Sequence, residues 1–360
     1  MNRYYFLQHS PIDFNFTQSP RDFVVEEIPL YEFTGEGEHL AIKIRKKNLT
    51  TWEMLQAISE HVGVKVRDIG YAGLKDKNAL TVQYITIHRN FKEKLEKFEH
   101  ESIKILEITH HKNKIKLGHL KGNKFFIRLK RVTAVDAQKI AQALKLIKKY
   151  GMPNFFGYQR FGNYGDNYLQ GEKIANGELK MRDQKKKRFL LNAYQSFLYN
   201  NWLSKRLQIS RIVESFSAPE AALALNMDEQ TVASLKAQEH PFKILNGEVC
   251  NHYPVGRVFI SENENDDAKR FLERDISVTG LLSGRKVMNA ENDALEVENE
   301  YVKDVACDGD RRYAWVWPEV IEGEYKSEEN WFELHFYLPK GCYATVLLEE
   351  LAHKSLKESY

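Results

Sequence analysis

Gly70-Tyr71-Ala72-Gly73-Leu74-Lys75-Asp76-Lys77-Asn78-Ala79-Leu80 leads straight into Thr81-Val82-Gln83-Tyr84-Ile85-Thr86-Ile87. The second run alternates at period two and predicts a strand. The first run, with Gly73 just before its charged centre, predicts the loop that feeds that strand. A carboxylate carried to a strand edge by such a loop can be held in one pose facing a cleft. Lys75 and Lys77 flank Asp76 and favour its ionised form, which suits a nucleophile or a general base. They also attract phosphate. The same residues equally describe a solvated turn of mixed charge, and spacing alone leaves both readings open.

Outward from this loop, 22–28 and 38–46 read as strands around a Gly35-Glu36-Gly37 turn. That turn is no dinucleotide fingerprint, because a third glycine and a following helix are missing. Thr50-Thr51-Trp52-Glu53 reads as a capping box, with Met54, Leu55, Ile58 and Val62 on one helix face. A short charged helix is expected at 91–98, then strands near 102–109, 114–118 and 124–132. Thr133-Ala134-Val135-Asp136 opens a helix with Ile140, Leu144 and Ile147 on its apolar face. This mixture predicts an α+β domain around a largely antiparallel sheet. After about residue 156 the pattern changes. Helices dominate 187–237, and polar loops with short strands run to about 312. Trp331, Glu333, His335 and Tyr337 then alternate with Phe332, Leu334 and Phe336 as a strand. No internal repeat or low-complexity segment is seen.

Hydrophobic residues make up 42% of the 360, enough for substantial cores. The cysteines Cys250, Cys307 and Cys342 are far apart, which argues against a zinc ribbon and a disulfide framework. The twelve histidines show no metal spacing, and the adjacent His110-His111 would face opposite sides of a strand. No apolar run approaches the roughly 20 residues of a membrane span. The N-terminus from Met1 to His9 lacks a signal-peptide h-region, so a cytoplasmic protein is expected. Net charge is only +3, but residues 101–150 hold 13 Lys/Arg against 3 Asp/Glu, and residues 151–190 hold 8 against 4. A basic block inside a nearly neutral chain points to a polyanion partner, or to a lysine-rich solvated face.

Several stretches together resemble the TruD family of tRNA pseudouridine synthases. Gly73-Leu74-Lys75-Asp76-Lys77-Asn78-Ala79 resembles its active-site motif, in which the Asp is catalytic. In the same order as in the family come Pro20-Arg21-Asp22-Phe23-Val24-Val25-Glu26-Glu27, the active-site motif, Lys121-Gly122-Asn123-Lys124-Phe125, and Pro153-Asn154-Phe155-Phe156-Gly157-Tyr158-Gln159-Arg160-Phe161-Gly162. Later are Ala193-Tyr194-Gln195-Ser196-Phe197, Thr279-Gly280-Leu281-Leu282-Ser283-Gly284 and Leu338-Pro339-Lys340-Gly341-Cys342-Tyr343-Ala344-Thr345. The resemblance implies a pseudouridine-synthase catalytic domain at 1–155 plus 313–360, interrupted by a mixed α/β TRUD domain at 156–312. It implies a stand-alone, cofactor-free isomerase with no obligate protein partner evident, acting on uridine 13 of tRNA.

Pseudouridine formation breaks the bond between ribose C1′ and uracil N1, turns the base and rejoins it through C5. Breaking a glycosidic bond is work for a carboxylate, by covalent attack or by taking a sugar proton. Asp76 is the expected catalytic residue. The target base must leave its stack, so flat surfaces are needed. Phe23, Phe125 and Tyr343 fall in motifs whose aromatics line the family's site; Phe23 and Phe125 also fit strand cores. Tyr343 departs from the Phe of the bacterial pattern. The Asn123 amide can donate to and accept from a uracil edge, or serve as a turn residue after Gly122. Related sequences often carry a Lys a few residues before Asp-Phe, where this chain has Thr17. Arg21 and Lys75 are then the alternatives for the cation beside Asp76. Lys75, Lys77 and Arg160 are expected to touch substrate. Lys112, Lys114, Lys116, Lys121, Lys124, Arg128 and Lys185-Lys186-Lys187-Arg188 are candidates for the tRNA surface. Two other classes stay open on the residues: a nucleic-acid base-excising glycosidase, and a non-catalytic RNA-binding or folding module.

Overall fold

The structure, a computed structural model, describes residues 3–162 and 164–356; Met1 and Asn2 of the N-terminal reading lie outside them. The chain begins with β1 (Phe23–Pro29), β2 (His39–Lys47), α1 (Thr51–Val62), β3 (Gly70–Tyr71) and β4 (Leu80–His88). Next come α2 (Lys92–Glu96), β5 (Ile103–His111), β6 (Leu120–Lys130), α3 (Ala134–Tyr150) and β7 (Met152–Pro153). The middle holds α4 (Asn167–Ala175), α5 (Gln184–Ser215), α6 (Ala218–Leu225), α7 (Glu229–Ala237), β8 (Val249–His252), β9 (Val258–Ile260) and α8 (Glu264–Leu272). β10 (Ile276–Leu282), α9 (Asn292–Asn299), β11 (Asp310–Tyr313) and β12 (Trp315–Val316) follow, then β13 (Glu319–Lys326), β14 (Trp331–Pro339) and α10 (Ala344–Ala352).

The chain forms two compact units. One comprises Ile12–Leu144 and Pro318–Gly341; the other comprises the described residues up to Pro11, Lys145–Trp317 and the described residues from Cys342 on. These boundaries, within α3 and on either side of the β13–β14 hairpin, differ from the 155 and 313 expected from the sequence.

The first unit is built on a sheet in the order β13-β14-β6-β1-β4-β2-β5, with β3 added to β4. Only β1 and β4 run parallel in it among the described residues. α1 forms because Thr50 Oγ1 accepts from the Glu53 N–H while Glu53 accepts from the Thr50 N–H, closing a capping box. It ends where Gly63 takes φ 81°. Its Met54, Leu55, Ile58 and Val62 are fully buried against Leu40, Ile42 and Ile44 of β2 and Ile85 and Ile87 of β4. α3 covers the other end of the same sheet face. A Cβ on Gly323 would lie 2.6 Å from Phe332 and 2.8 Å from Leu144, so the glycine is what lets this helix approach β13.

The second unit is mainly helical. The long α5 buries Leu190, Tyr194, Leu198, Trp202 and Leu207 among other residues, and a sheet in the order β11-β10-β8-β9 stands beside it. Gly280 of β10 is packed so closely that a Cβ would sit 2.3 Å from Trp202.

Two expectations fail. Residues 114–118 form a loop, not a strand: Ile115 is buried, but Leu117, which supplied the alternation, is 68% exposed. The stretch to 312 contains α8 and α9 as well as loops and strands. Among the described residues no helix is long and apolar enough to cross a membrane.

Candidate active site

The face of the large sheet that α1 and α3 cover is apolar along most of its length. Register places Lys46 opposite Thr81, Val25 opposite Thr81, Glu27 opposite Asn123 and Ile44 opposite Gln83. Paired residues share a face, so Lys46, Thr81, Gln83, Glu27 and Asn123 interrupt the apolar surface at one end of the sheet. Lys46, Thr81 and Gln83 are fully buried, and Glu27 nearly so.

The loop between β3 and β4 lies against this polar patch and is fastened to it at three points. The Lys75 N–H donates to Thr51 Oγ1 at 2.9 Å, and Thr51 Oγ1 donates to Gln83 Oε1 at 3.1 Å. The Lys75 ammonium pairs with Glu27 at 2.6 Å, with both side chains buried. Lys46 Nζ donates to the main-chain oxygen of Asp76 at 3.0 Å and to that of Leu49 at 2.6 Å. Asp76 itself remains exposed to solvent. The protein packed behind it raises its carboxyl above the ordinary range by desolvation, while Lys46 and Lys75 pull it back down. Burial likewise brings the Lys46 ammonium down to about 8, with Asp76 opposing the shift. Each charge is thus made costlier by burial and cheaper by the other.

Three buried atoms of the patch have no hydrogen-bond partner within the described protein: Thr81 Oγ1, Gln83 Nε2 and Asn123 Oδ1. Each such group costs roughly 1–3 kcal/mol while unsatisfied. Phe125, two residues along β6 from Asn123, shares its face. Its ring stacks on Phe336 at 5.2 Å and on Phe23 at 6.3 Å, and Phe16 closes edge-on against Phe23. With both faces of Phe125 occupied, its rim is the part left for a ligand. Phe23, 3% exposed, is enclosed by the same aromatic row.

The remaining expected residues divide as follows. Lys77 is exposed and pairs with Glu53 at 2.9 Å. Arg21 and Thr17 are exposed. Arg128 is engaged by Asp22 and Glu333, and Lys112 by Glu36. In the other unit, Arg160 donates to Ser196 Oγ at 3.1 Å and lies over Phe156, as does Arg312. Tyr343 stands edge-on to the same Phe156, at 6.2 Å between rings. Lys185, Lys186 and Arg188 are exposed at the start of α5, where Asp183 caps the helix. Lys46, Thr51, Thr81, Gln83 and Glu27 were not singled out from the sequence as site residues. A signal for Lys46 exists: in Leu40-Ala41-Ile42-Lys43-Ile44-Arg45-Lys46 the period of two carries the apolar face onto a lysine.

A protein-family model described as tRNA pseudouridine synthase D (TruD) matches residues 1–183 and 179–351. The tRNA pseudouridine synthase D of a Nitratiruptor species is 53% identical over 358 residues, covering 99% of each chain. That of Sulfurimonas denitrificans is 52% identical over 356 residues, covering 99% of this chain and 100% of its own. The crystal structure of a Methanosarcina mazei protein assigned to TruD has the same fold, with a TM-score of 0.71 at 21% identity over 98% of this chain and 96% of that one. Identity above one half along nearly the whole length leaves no room for a shared domain in an otherwise different protein: the chain belongs to the TruD family of tRNA pseudouridine synthases.

Proposed function

We propose that Asp76 is the carboxylate through which this tRNA pseudouridine synthase isomerises uridine to pseudouridine. One observation carries the reading: a solvent-accessible carboxylate sits on a loop fastened by buried side chains, next to buried polar atoms without partners. A group that must meet C1′ of one extruded nucleotide needs that fixed pose, since small misplacements are expensive in rate. The C1′–N1 bond breaks, with Asp76 either attacking C1′ or taking a sugar proton. The uracil turns and C5 bonds to C1′ as the Asp76–C1′ bond breaks or, on the other route, as the proton held by Asp76 returns to the sugar carbon; the C5 proton then leaves and N1 gains one. Atoms and electrons balance without an added reagent.

The Asn123 amide suits the polar edge of the turning uracil, because its buried oxygen can accept the uracil N–H. Phe125 offers the site its rim, with Phe23 packed behind it in the aromatic row, and Lys75 braces the loop through Glu27. Lys77 in the sheet unit, and Arg160 and Tyr343 in the helical unit, are each read as contacting the tRNA on the strength of their motifs. The same motifs support uridine 13 of tRNA as target, 1–155 plus 313–360 as the catalytic portion and 156–312 as the TRUD insertion, while three scattered cysteines, read as reduced thiols, support the cytoplasm as the place of action.

Asp76→Asn keeps the size of the side chain and removes the carboxylate. It should abolish pseudouridine formation in tRNA, by about 10³-fold or more, while tRNA binding stays within about threefold. Turnover near the normal rate would remove Asp76 from the mechanism. Recovery of tRNA with an abasic site would convert the reading to a glycosidase, because an isomerase leaves the mass unchanged.

A further inference from the structure

We propose that Lys46 is a positioning residue for the isomerisation: its buried ammonium clamps the main chain of Asp76 and supplies the positive charge behind the carboxylate. The inference rests on Asp76 being the reacting group.

The geometry is specific. Lys46 is 0% exposed, and its ammonium bonds two carbonyl oxygens, those of Leu49 and Asp76. One bond ties the end of β2 to the turn before α1; the other reaches the loop that bears the reacting group. Leu40, Ile42 and Ile44 precede it on the same face, so an apolar residue would continue the core here without a charge to bury. Taking an ammonium out of water costs several kcal/mol even after relaxation. No carboxylate lies within ion-pair distance of it among the described residues, so nothing in the fold offsets that cost through a salt bridge.

Of the cations expected from the sequence, Lys75 is held by Glu27 and acts on Asp76 only through space. Arg21 is exposed, with no hydrogen bond or ion pair to Asp76 among the described residues, Lys77 is paired with Glu53, and Thr17 carries no charge. Lys46 is the lysine whose ammonium bonds Asp76 directly. The charged groups acting on it come from the loop, Asp76 and Lys75, and from α1, Glu53. From β1, Glu27 engages Lys75, and across β5 its register partner is the uncharged Ile103.

The test uses full-length Lys46→Met, Lys46→Gln, Lys46→Arg and Asp76→Asn. Turnover, KM for tRNA, melting temperature and the pH profile of kcat are measured for each. Lys46→Met should lower kcat by about 100-fold with KM within about threefold, the scale expected of a displaced reacting group. It should melt within a few degrees of wild type. Its acidic limb should move to higher pH, because removing a nearby cation makes the Asp76 carboxyl easier to protonate. Lys46→Arg restores the charge and should recover part of kcat and move the limb back. If the methionine variant does not fold, Lys46→Gln carries the same expectations. Wild-type kcat in the neutral variants overturns the proposal. So does a loss of kcat with an unmoved acidic limb and no recovery by arginine, which would make Lys46 merely structural. An inactive Asp76→Asn beside an active Lys46→Met sinks Lys46 alone; an active Asp76→Asn sinks the Asp76 reading, and Lys46 with it.

Discussion

Lys46 in the sheet unit and Arg206 in the helical unit are both shut away from water, at 0% exposure. Their surroundings differ in kind. Arg206 meets Glu248 at 2.5 Å, donates to the Lys243 carbonyl at 2.8 Å and lies over the Phe242 ring. Burial lowers the Arg206 pKa and raises that of Glu248, and each opposes the other's shift. Among the described residues Lys46 bonds only carbonyl oxygens, one of them belonging to the residue expected to react. A buried cation with its own carboxylate is a structural pair. A buried cation without one is a stability cost kept for another reason, and here the reason lies one hydrogen bond away.

The contrast breaks most easily at Glu248. Glu248→Leu leaves Arg206 buried and uncompensated and should cost roughly 3–5 kcal/mol in urea unfolding, a large part of a domain's stability. Replacing Arg206 by Met in the same chain should recover most of it. Once corrected for folded fraction, kcat should be unchanged, unlike the Lys46 variants. A Glu248→Leu protein that unfolds at the wild-type urea concentration would show that the pair does not carry the helical unit.

Acid should sharpen the comparison. His240 is 1% exposed, accepts from the Phe242 N–H at 3.0 Å and faces the Tyr150 carbonyl at 2.8 Å. Burial holds its imidazole at about 4, below the ordinary 6.5. Between those values the unfolded chain binds a proton that the folded chain refuses. Stability should therefore fall as pH drops from about 6.5 to 4 and level off below, with His240 alone contributing roughly 3 kcal/mol. His240→Gln should flatten that part of the stability curve while leaving the activity profile set by the sheet unit in place. A stability curve equally steep with Gln at this position would assign the effect elsewhere.

The smallest effect concerns surface charge. Lys185→Ala, Lys186→Ala and Lys187→Ala combined should weaken tRNA binding. The log–log salt slope should fall by roughly 0.7 for each phosphate of single-stranded RNA that is no longer neutralised. An unchanged slope would mean that this helix start is only solvated.

Periodicity was a reliable guide where one face meets a core. β1, β2, β4, β14 and the capping box of α1 lie where alternation and Thr50/Glu53 put them. It failed for α8, whose Glu264-Asn265-Asp266-Asp267 start is polar and whose buried apolar residues are only Ala268 and Phe271. It misled at Ile115 and Leu117, because lysines alternating with two aliphatic residues imitate a strand when only one of them is buried. The segment that bears Asp76 was legible as the loop feeding β4. The patch beneath it was not, since Thr81, Gln83, Glu27 and Lys46 come together only when β4, β1 and β2 pair. Thr51 acts there as a helix residue whose hydroxyl also holds a distant loop, a second duty that sequence spacing does not mark.

The position of β6 has a consequence for synthesis. One of its edges pairs with β1, already made, and the other with β14, roughly 200 residues further on. At a translation speed of about 5–20 residues per second, Pro339 follows Lys130 off the ribosome by about 10–40 s. Throughout that interval the outer edge of β6, including Asn123, offers unpaired main-chain groups to any neighbouring strand. The nascent chain must wait with an open edge while the whole helical unit is being made. Yield in the cell then depends on elongation speed past residue 130, and on what shields that edge at the ribosome, as much as on the stability of the finished enzyme.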